Sequence, residues 1–322
     1  MNLNEKRVIV TGAAGFIGSN LTDELLEQGA EVVGLDNLHS GRIVNLNDAM
    51  KHDKFEFYKG DIRDLHFLMK FFEDVDLIYH LAAFTSVSQS IKMPELCNDV
   101  NINGTLNVLN AARKKNVDKI IYSSSASVYG NTSTLPKKEN MARVPISPYG
   151  VSKLACEAYM QSYHHVYGLK TTTLRYFNIY GPRQIDSPNS GVIAIWLGNI
   201  IRNEDLSING DGKISRDYIY IKDVIRANLM AAIHKVPGEI INIGSGTPIS
   251  LTDLANMMLR IANKKNLKIV YRDPNPGDII NSYTDVSKAK SFLKFEPKYN
   301  QEDGLKDYFN WYNNTSGTNL SN

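Results

Sequence analysis

The sequence predicts an α/β protein, a doubly wound parallel sheet with a smaller, interleaved α/β domain. Three observations carry that expectation. Short apolar runs alternate with helical patterns over much of the 322 residues, as βαβ units require. The first run leads through a glycine-rich turn into an amphipathic segment. After Phe177 the alternation loosens, and Pro182, Pro188, Gly191, Gly210 and Gly212 break the pattern, which marks a second and less regular unit.

Each element follows from its own residues. The run 7–10, Arg-Val-Ile-Val, reads as a buried strand. Phe16, Ile17, Leu21, Leu25 and Gln28 then recur at helical spacing, and Gly29 stops the helix. A second strand at 31–35 completes a βαβ unit. Strands at 55–58, 77–80, 119–122 and 171–175 alternate with helices at 63–72, 103–114 and 148–167. This alternation implies a parallel sheet covered on both faces. Beyond the loosened region come a strand at 218–221, a helix at 224–234 and a strand at 239–243. Short helices and a Pro/Gly-rich loop at 273–278 fill the rest. The expected division is a dinucleotide-binding domain from 1–176 plus 218–243 and a substrate domain from 177–217 plus 244–312. The polar, small residues of 313–322 read as a disordered tail.

Lys plus Arg number 36 and Asp plus Glu 34, a formal net charge of +2. That balance lacks the basic surface that nucleic acid or an anionic membrane would need. Cys97 and Cys156 are the two cysteines, so neither a disulfide framework nor a zinc site is expected. Residues 1–7 have no apolar core of signal-peptide length. The longest apolar stretch, 192–201, is interrupted by Gly198 and Asn199 and is too short to span a bilayer. The expected location is the cytoplasm.

Gly12-Ala13-Ala14-Gly15-Phe16-Ile17-Gly18 stands between strand and helix. Glycines there let the backbone turn tightly and approach a pyrophosphate, to which the helix N-terminus offers N–H donors. Asp36 lies 18 residues after Gly18. A carboxylate there accepts hydrogen bonds from the adenosine ribose and repels a 2′-phosphate, which favours NAD over NADP. It could equally cap the turn at Asp36-Asn37.

Tyr149 and Lys153 are four apart, so a helix begun by Ser147 and Pro148 carries both on one face. An ammonium beside a phenol stabilises the phenolate and makes it a usable base. Ser123-Ser124-Ser125 follows directly on a strand, where parallel sheets bind ligands.

Together with Thr11, His80-Leu81-Ala82-Ala83, Asn101-Ile102-Asn103-Gly104-Thr105, Arg175-Tyr176-Phe177-Asn178, Arg216-Asp217-Tyr218 and Asn242-Ile243-Gly244-Ser245-Gly246, these motifs resemble the extended short-chain dehydrogenase/reductase family, with its Rossmann-type fold. Within it the chain is most similar to nucleotide-sugar 4-epimerases. The resemblance covers residues 6 to 312. It implies NAD as cofactor, with contacts from Gly12, Gly15, Phe16, Ile17, Gly18, Asp36, Asn37, Asp61, Ile62, Leu81, Ala82, Ala83, Asn101, Ser123, Tyr149, Lys153 and Tyr176. It makes Ser125 the catalytic hydroxyl, Tyr149 the base, and Lys153 the group that holds the nicotinamide ribose. Asp61 and Ile62 match an adenine-contacting pair, Asn178 and Arg216 the diphosphate contacts, and Val192 and Asn209 nucleotide-side positions. Asn101 matches a position whose role is often structural.

Related dehydratases carry an Asp-Glu pair just after the catalytic hydroxyl, and decarboxylases a Glu. Here Ala126 and Ser127 stand there. Without that acid the extra elimination is disfavoured, whereas epimerisation needs one base and a reversible hydride. Similar epimerases carry an Arg-x-Gly-Asp segment with a selecting residue five after its glycine. In this chain Asn275-Pro276-Gly277-Asp278 matches it, which places Ser282 at the selecting position. A small residue there, with Gln184 and Ser86, implies a site that accepts an N-acetyl group. The implied substrates are UDP-N-acetylglucosamine and, with it, UDP-glucose. UDP-glucuronate is the alternative sugar. A non-catalytic NAD-binding regulator is the alternative class, but it predicts loss of the tyrosine, lysine or serine, and all three are present. The family arginine is Asn275 here, which leaves Arg216 as the main diphosphate clamp, with Arg272 either reaching in or standing as a solvated loop charge. The resemblance also implies a homodimer packed through the helices at 103–114 and 148–167.

Overall fold

The computed structural model describes residues 3–187, 190–274 and 281–315. The first part runs β1 (Arg7–Thr11), α1 (Phe16–Glu27), β2 (Glu31–Asp36), β3 (Phe55–Lys59), α2 (Leu65–Phe71) and β4 (Leu77–His80). Then come α3 (Val87–Lys92), α4 (Pro94–Asn98), α5 (Gly104–Lys114), β5 (Lys119–Ser125), α6 (Pro148–Tyr167) and β6 (Lys170–Tyr176). The remainder runs β7 (Asn178–Tyr180), α7 (Val192–Ile201), β8 (Leu206–Asn209), β9 (Ser215–Tyr220), α8 (Ile221–Ile233) and β10 (Ile240–Ile243). It closes with β11 (Pro248–Ser250), α9 (Leu251–Ile261), β12 (Ile269–Arg272), β13 (Asn281–Ser282), α10 (Ser287–Leu293) and α11 (Gln301–Thr315).

Seven parallel strands form the main sheet in the order β10-β6-β5-β4-β1-β2-β3. The strands β1 and β4 read as continuous apolar runs because both faces are buried, whereas the edge strand β3 is largely exposed. Ile9, Val33, Ile78 and Ile120 pack with Val108, Leu109 and Met160 of α5 and α6. Their neighbours Val8, Val10, Val32 and Ile121 pack with Leu21, Leu25 and Val224 of α1 and α8. The order of strands reverses between β1 and β4, and the crevice outside their carboxyl ends is where such sheets take ligands.

Local chemistry sets the helix ends. Ser147 Oγ accepts from Gly150 N at 3.1 Å and Pro148 opens α6, while Gly168 at φ 72° closes it. Helix α2 starts at Leu65 rather than at 63, because Asp64 Oδ1 accepts from Phe67 N at 3.0 Å and acts as its cap. Residues Asp99–Asn103 form a π-helical turn ahead of α5.

Two expectations about organisation are corrected. The run at 218–221, expected within the dinucleotide-binding domain, forms β9 of a second sheet, in the order β11-β9-β13 with β7 also paired to β9. Only Phe177 separates β6 from β7, so the chain leaves the main sheet there and β7 takes β9 as its partner. Of the run 313–322 read as a tail, 313–315 continue α11, where Thr315 Oγ1 donates to Trp311 O at 2.8 Å, and the rest lies outside the described residues. A two-stranded sheet pairs β12 with β8. Among the described residues, no helix is long and apolar enough to cross a membrane.

Candidate active site

The glycine-rich turn after β1 lies in the crevice. Gly12 has φ 74°, and a Cβ on it would come 2.8 Å from Ala82 N and 3.0 Å from Ala82 Cα. Gly15 is the N-cap of α1, with no side chain capping that end, so helix N–H groups remain for an anion. Thr11 Oγ1 accepts from Leu81 N and Ala82 N, each at 3.2 Å. Its own proton therefore goes to His80 Nδ1, 2.8 Å away, and His80 Nε2 donates to Thr105 Oγ1 at 2.9 Å. Burial pushes the His80 imidazole down to about 3, so it stays neutral. This bracket holds the residues 81–83 against the glycine turn. Glycine is therefore needed for the turn to pack on itself and on residues 81–83, and the uncapped N–H groups at the start of α1 fit a dinucleotide pyrophosphate.

Asp36 Oδ2 accepts from Ala14 N at 3.0 Å and Oδ1 from Leu38 N at 2.7 Å. Asp36 thus fastens the glycine turn and caps its own loop, as the turn reading expects, and each oxygen retains lone-pair capacity. Burial pushes its carboxyl up. Asn37 Nδ2 donates to Asp61 Oδ2 at 2.9 Å, and the Arg63 guanidinium holds the Asp61 carboxyl well below the usual range. Ile62 is buried against Gly104. Asp36, Asn37, Asp61 and Ile62 thus gather at the carboxyl ends of β2 and β3.

Helix α6 presents Tyr149 and Lys153 to the end of β5. Lys153 Nζ donates to Ser123 O at 2.7 Å and lies 5.0 Å from the Tyr122 ring centroid and 5.9 Å from that of Tyr149. Burial pushes Lys153 down to about 8. It pushes the Tyr149 phenol up to about 12, against a hydrogen bond from Ser125 that favours the phenolate. The tyrosine backbone is pinned on both sides, with Tyr149 N donating to Ser90 Oγ at 3.2 Å and Tyr149 O accepting from Ser152 Oγ at 2.8 Å. Asn101, in the π-helical turn, accepts from Phe84 N at 2.7 Å and donates to Ser152 Oγ at 2.8 Å. It thereby ties the segment after β4 to α6. Tyr176 is buried at the end of β6 and donates to Asn228 Oδ1 at 2.9 Å. Ser127 Oγ is buried with no partner among the described residues.

The second half of the site is a cavity of about 290 Å³. Asn178, Gln184, Val192, Asn209 and Arg216, far apart in sequence, all line it. Gln184 Nε2 donates to Ile179 O at 3.2 Å, while its Oε1 is buried without a partner among the described residues. Asp217 anchors the strand that carries Arg216, accepting from Ser245 N at 2.7 Å, Gly246 N at 3.0 Å and Thr284 N at 3.2 Å. Ser282 does not line the cavity; it pairs with Arg216 across β13 and β9. Arg272 is exposed on the last position of β12, in register with Asn209, and so stands on a strand rather than a loop. Ser86 does not line this cavity; it is the N-cap of α3, the helix whose Ser90 accepts from Tyr149 N, and it accepts from Gln89 N at 3.2 Å. Asp278, with Asn275 and Gly277, falls outside the described residues.

Trp196 also lines the cavity and donates Nε1 to Ser207 O at 3.1 Å. The sequence assigns no role to Glu157, and none to Arg175 beyond its place in the motif 175–178. A full charge inside a buried strand run, as Arg175 is, was the available signal.

A family model described as the NAD dependent epimerase/dehydratase family matches residues 8–244. A putative UDP-glucose 4-epimerase of Methanocaldococcus jannaschii is 39% identical over 97% of this chain and 100% of its own length. The solved UDP-N-acetylglucosamine 4-epimerase of Methanobrevibacter ruminantium, in complex with UDP-N-acetylmuramic acid, has a TM-score of 0.93 at 36% identity, covering 97% of this chain and 99% of that one. The UDP-glucuronic acid 4-epimerase of Bacillus cereus, solved with UDP-glucuronic acid and NAD, has a TM-score of 0.88 at 34% identity, covering 96% and 99%.

Proposed function

The chain belongs to the NAD-dependent epimerase/dehydratase family, and from that premise we propose an NAD-dependent UDP-sugar 4-epimerase that interconverts UDP-N-acetylglucosamine and UDP-N-acetylgalactosamine and also takes UDP-glucose. The observation that carries the reading is the convergence of Tyr149, Ser125 and Lys153 beside the glycine cradle, with Ala126 and Ser127 where an eliminating acid would stand.

NAD supplies a reversible hydride acceptor for sugar C4. The protein does the rest. Gly12, Gly15 and Gly18 admit the pyrophosphate, and Asp36 takes the ribose. Tyr149 Oη receives the proton of the C4 hydroxyl and later returns it. Ser125 Oγ donates to the C4 oxygen, and the Lys153 ammonium keeps the phenolate accessible. Arg216 and Asn178 hold the diphosphate, Val192 and Asn209 the nucleotide side, and Gln184 the N-acetyl side of the sugar. With the nucleotide anchored in the cavity, the sugar is free to turn.

The choice of sugar rests on Ser282 and on its place beside Arg216 in the small sheet. A small side chain there leaves room for an N-acetyl group. The test is incubation with UDP-N-acetylglucosamine without added NAD, followed by NMR of the C4 configuration. Inversion is expected. Replacing Ser282 by Tyr should lower kcat/KM for the N-acetylated sugar by about tenfold or more while sparing UDP-glucose. Inversion of UDP-glucose or UDP-glucuronate alone by the wild type would overturn the substrate assignment.

The same reading gives a homodimer. Val151, Tyr159, Val166 and Tyr167 are exposed at intervals along α6, and Arg113 of α5 lies 4.6 Å over the Tyr167 ring. That apolar stripe on a helix pair suits a four-helix interface. Light scattering should give twice the mass of the chain; a monomer would contradict it.

A further inference from the structure

Three consecutive residues of β5 are each fastened to α6 by residues one helical turn apart. Ser125 meets Tyr149, Ser123 meets Lys153, and Ser124 meets Glu157. The third fastening differs in kind. Ser124 Oγ donates to Glu157 Oε1 at 2.6 Å. The same carboxylate is gripped by Arg175 of β6, Nε to Oε1 at 2.8 Å and Nη2 to Oε2 at 2.7 Å. Arg175 Nη1 donates to the Tyr129 hydroxyl at 2.7 Å, which donates in turn to Asn242 Oδ1 at 2.7 Å. The Arg175 and Glu157 side chains are 0% and 1% exposed.

A buried ion pair is a poor route to stability, since apolar residues of similar volume often do as well or better. A pair retained in the core, one turn from Lys153 and bonded to Ser124, calls for another role. We propose that the Glu157–Arg175 pair positions the proton-transfer site: Glu157 fixes Ser124, and through it Ser125, against Tyr149, and its charge keeps Lys153 an ammonium. The inference rests on the reading of Tyr149, Ser125 and Lys153 in the proposed function.

The surroundings of Lys153 support the electrostatic half. Facing it are Tyr149, Cys156 and Glu157 from α6, Cys97 from α4, Tyr122 from β5 and His80 from β4. His80 is neutral, and burial pushes the two thiols and the Tyr122 phenol up. Glu157 is the carboxylate of this set, gripped by Arg175 at 2.8 and 2.7 Å, and its charge works against the burial that lowers Lys153. Arg175 holds the carboxylate without letting it drift towards the ammonium, so Glu157 supports Lys153 at a distance and leaves its donors for ligand.

The experiment compares wild type, Glu157→Gln and the double variant Glu157→Gln/Arg175→Gln by kcat and KM against pH, with bound NAD and Tm measured on each. Gln keeps an oxygen for Ser124 but leaves Arg175 unopposed, so in the single variant the alkaline limb of kcat should move down by about one pH unit. Its kcat at neutral pH should fall by about tenfold with KM changed less than about twofold and NAD retained. The double variant carries no orphaned charge; it should regain Tm, with its alkaline limb still about half a pH unit below wild type. If Glu157→Gln fails to fold, the double variant decides. Coincident limbs in folded, NAD-loaded variants would overturn the inference and leave the epimerase reading intact. A double variant that cannot fold would also overturn it, by showing that the pair serves the fold. A wild type that inverts no UDP-sugar would overturn both together.

Discussion

Tyr149→Phe is expected to lower C4 inversion by about three orders of magnitude, within the range a positioned proton-transfer group contributes. The bound NAD should remain. The substitution removes one oxygen and little else. The ring keeps its place because Tyr149 N donates to Ser90 Oγ and Tyr149 O accepts from Ser152 Oγ, contacts that do not involve the phenol. The glycine cradle and Asp36 lie on β1 and β2 and are untouched. Phenylalanine cannot receive the C4 hydroxyl proton, and Ser125, whose hydroxyl would then lack its phenol partner, is far too weak a base to replace it. The measurements are NMR of the C4 configuration for turnover and absorbance of the nucleotide released by acid for NAD content. Inversion within about tenfold of wild type would remove Tyr149 from the role of base.

Lys153→Met should have the second largest effect, and it should act on two quantities at once. Methionine fills a similar volume without charge. The change removes the donor to Ser123 O, the ammonium beside the phenol, and the group proposed to hold the nicotinamide ribose. We expect kcat to fall by about a hundredfold or more, and NAD to be recovered at less than one per chain. The pH dependence separates these roles. Burial sets Lys153 to about 8 in the folded protein, below its ordinary value. Activity that needs the ammonium is therefore full below about pH 8 and falls as pH rises through it. For stability the sign is opposite: between about pH 8 and the ordinary lysine value the unfolded chain binds the proton that the native protein has released, so this group favours the fold increasingly as pH rises across that window. The variant should lose the activity limb near pH 8 and the stability gain above it. An unchanged alkaline limb in Lys153→Met would mean that another group titrates there.

The short-range chemistry was open to reading. The glycine turn, the Ser147-Pro148 start of α6, and the placement of Tyr149 and Lys153 on one face depend on residues within one or two turns of each other, where backbone geometry dictates direction. The serine run was found because a strand end in a parallel sheet is a ligand position. Longer-range pairings were not open in the same way. The run at 218–221 fits a buried strand of either sheet, and β7 and β11 decide which one it joins. Glu157 reads as one more helix charge until Arg175 is seen opposite it. His80 ends an apolar strand, and only Thr11 and Thr105 on either side disclose why its imidazole is neutral and which nitrogen carries the proton.

By itself, then, the sequence determined the βαβ alternation, the cradle for a dinucleotide and the reactive face of α6, because each is written in the spacing of near neighbours. Only the tertiary structure decided that Asn178, Gln184, Val192, Asn209 and Arg216 share one cavity, that Ser282 stands beside Arg216 rather than in the cavity wall, and that a buried ion pair is bonded to Ser124. Those residues meet through sheet pairing and packing between segments tens of residues apart, and a periodicity of two or of 3.6 carries no information about which distant face a side chain will find.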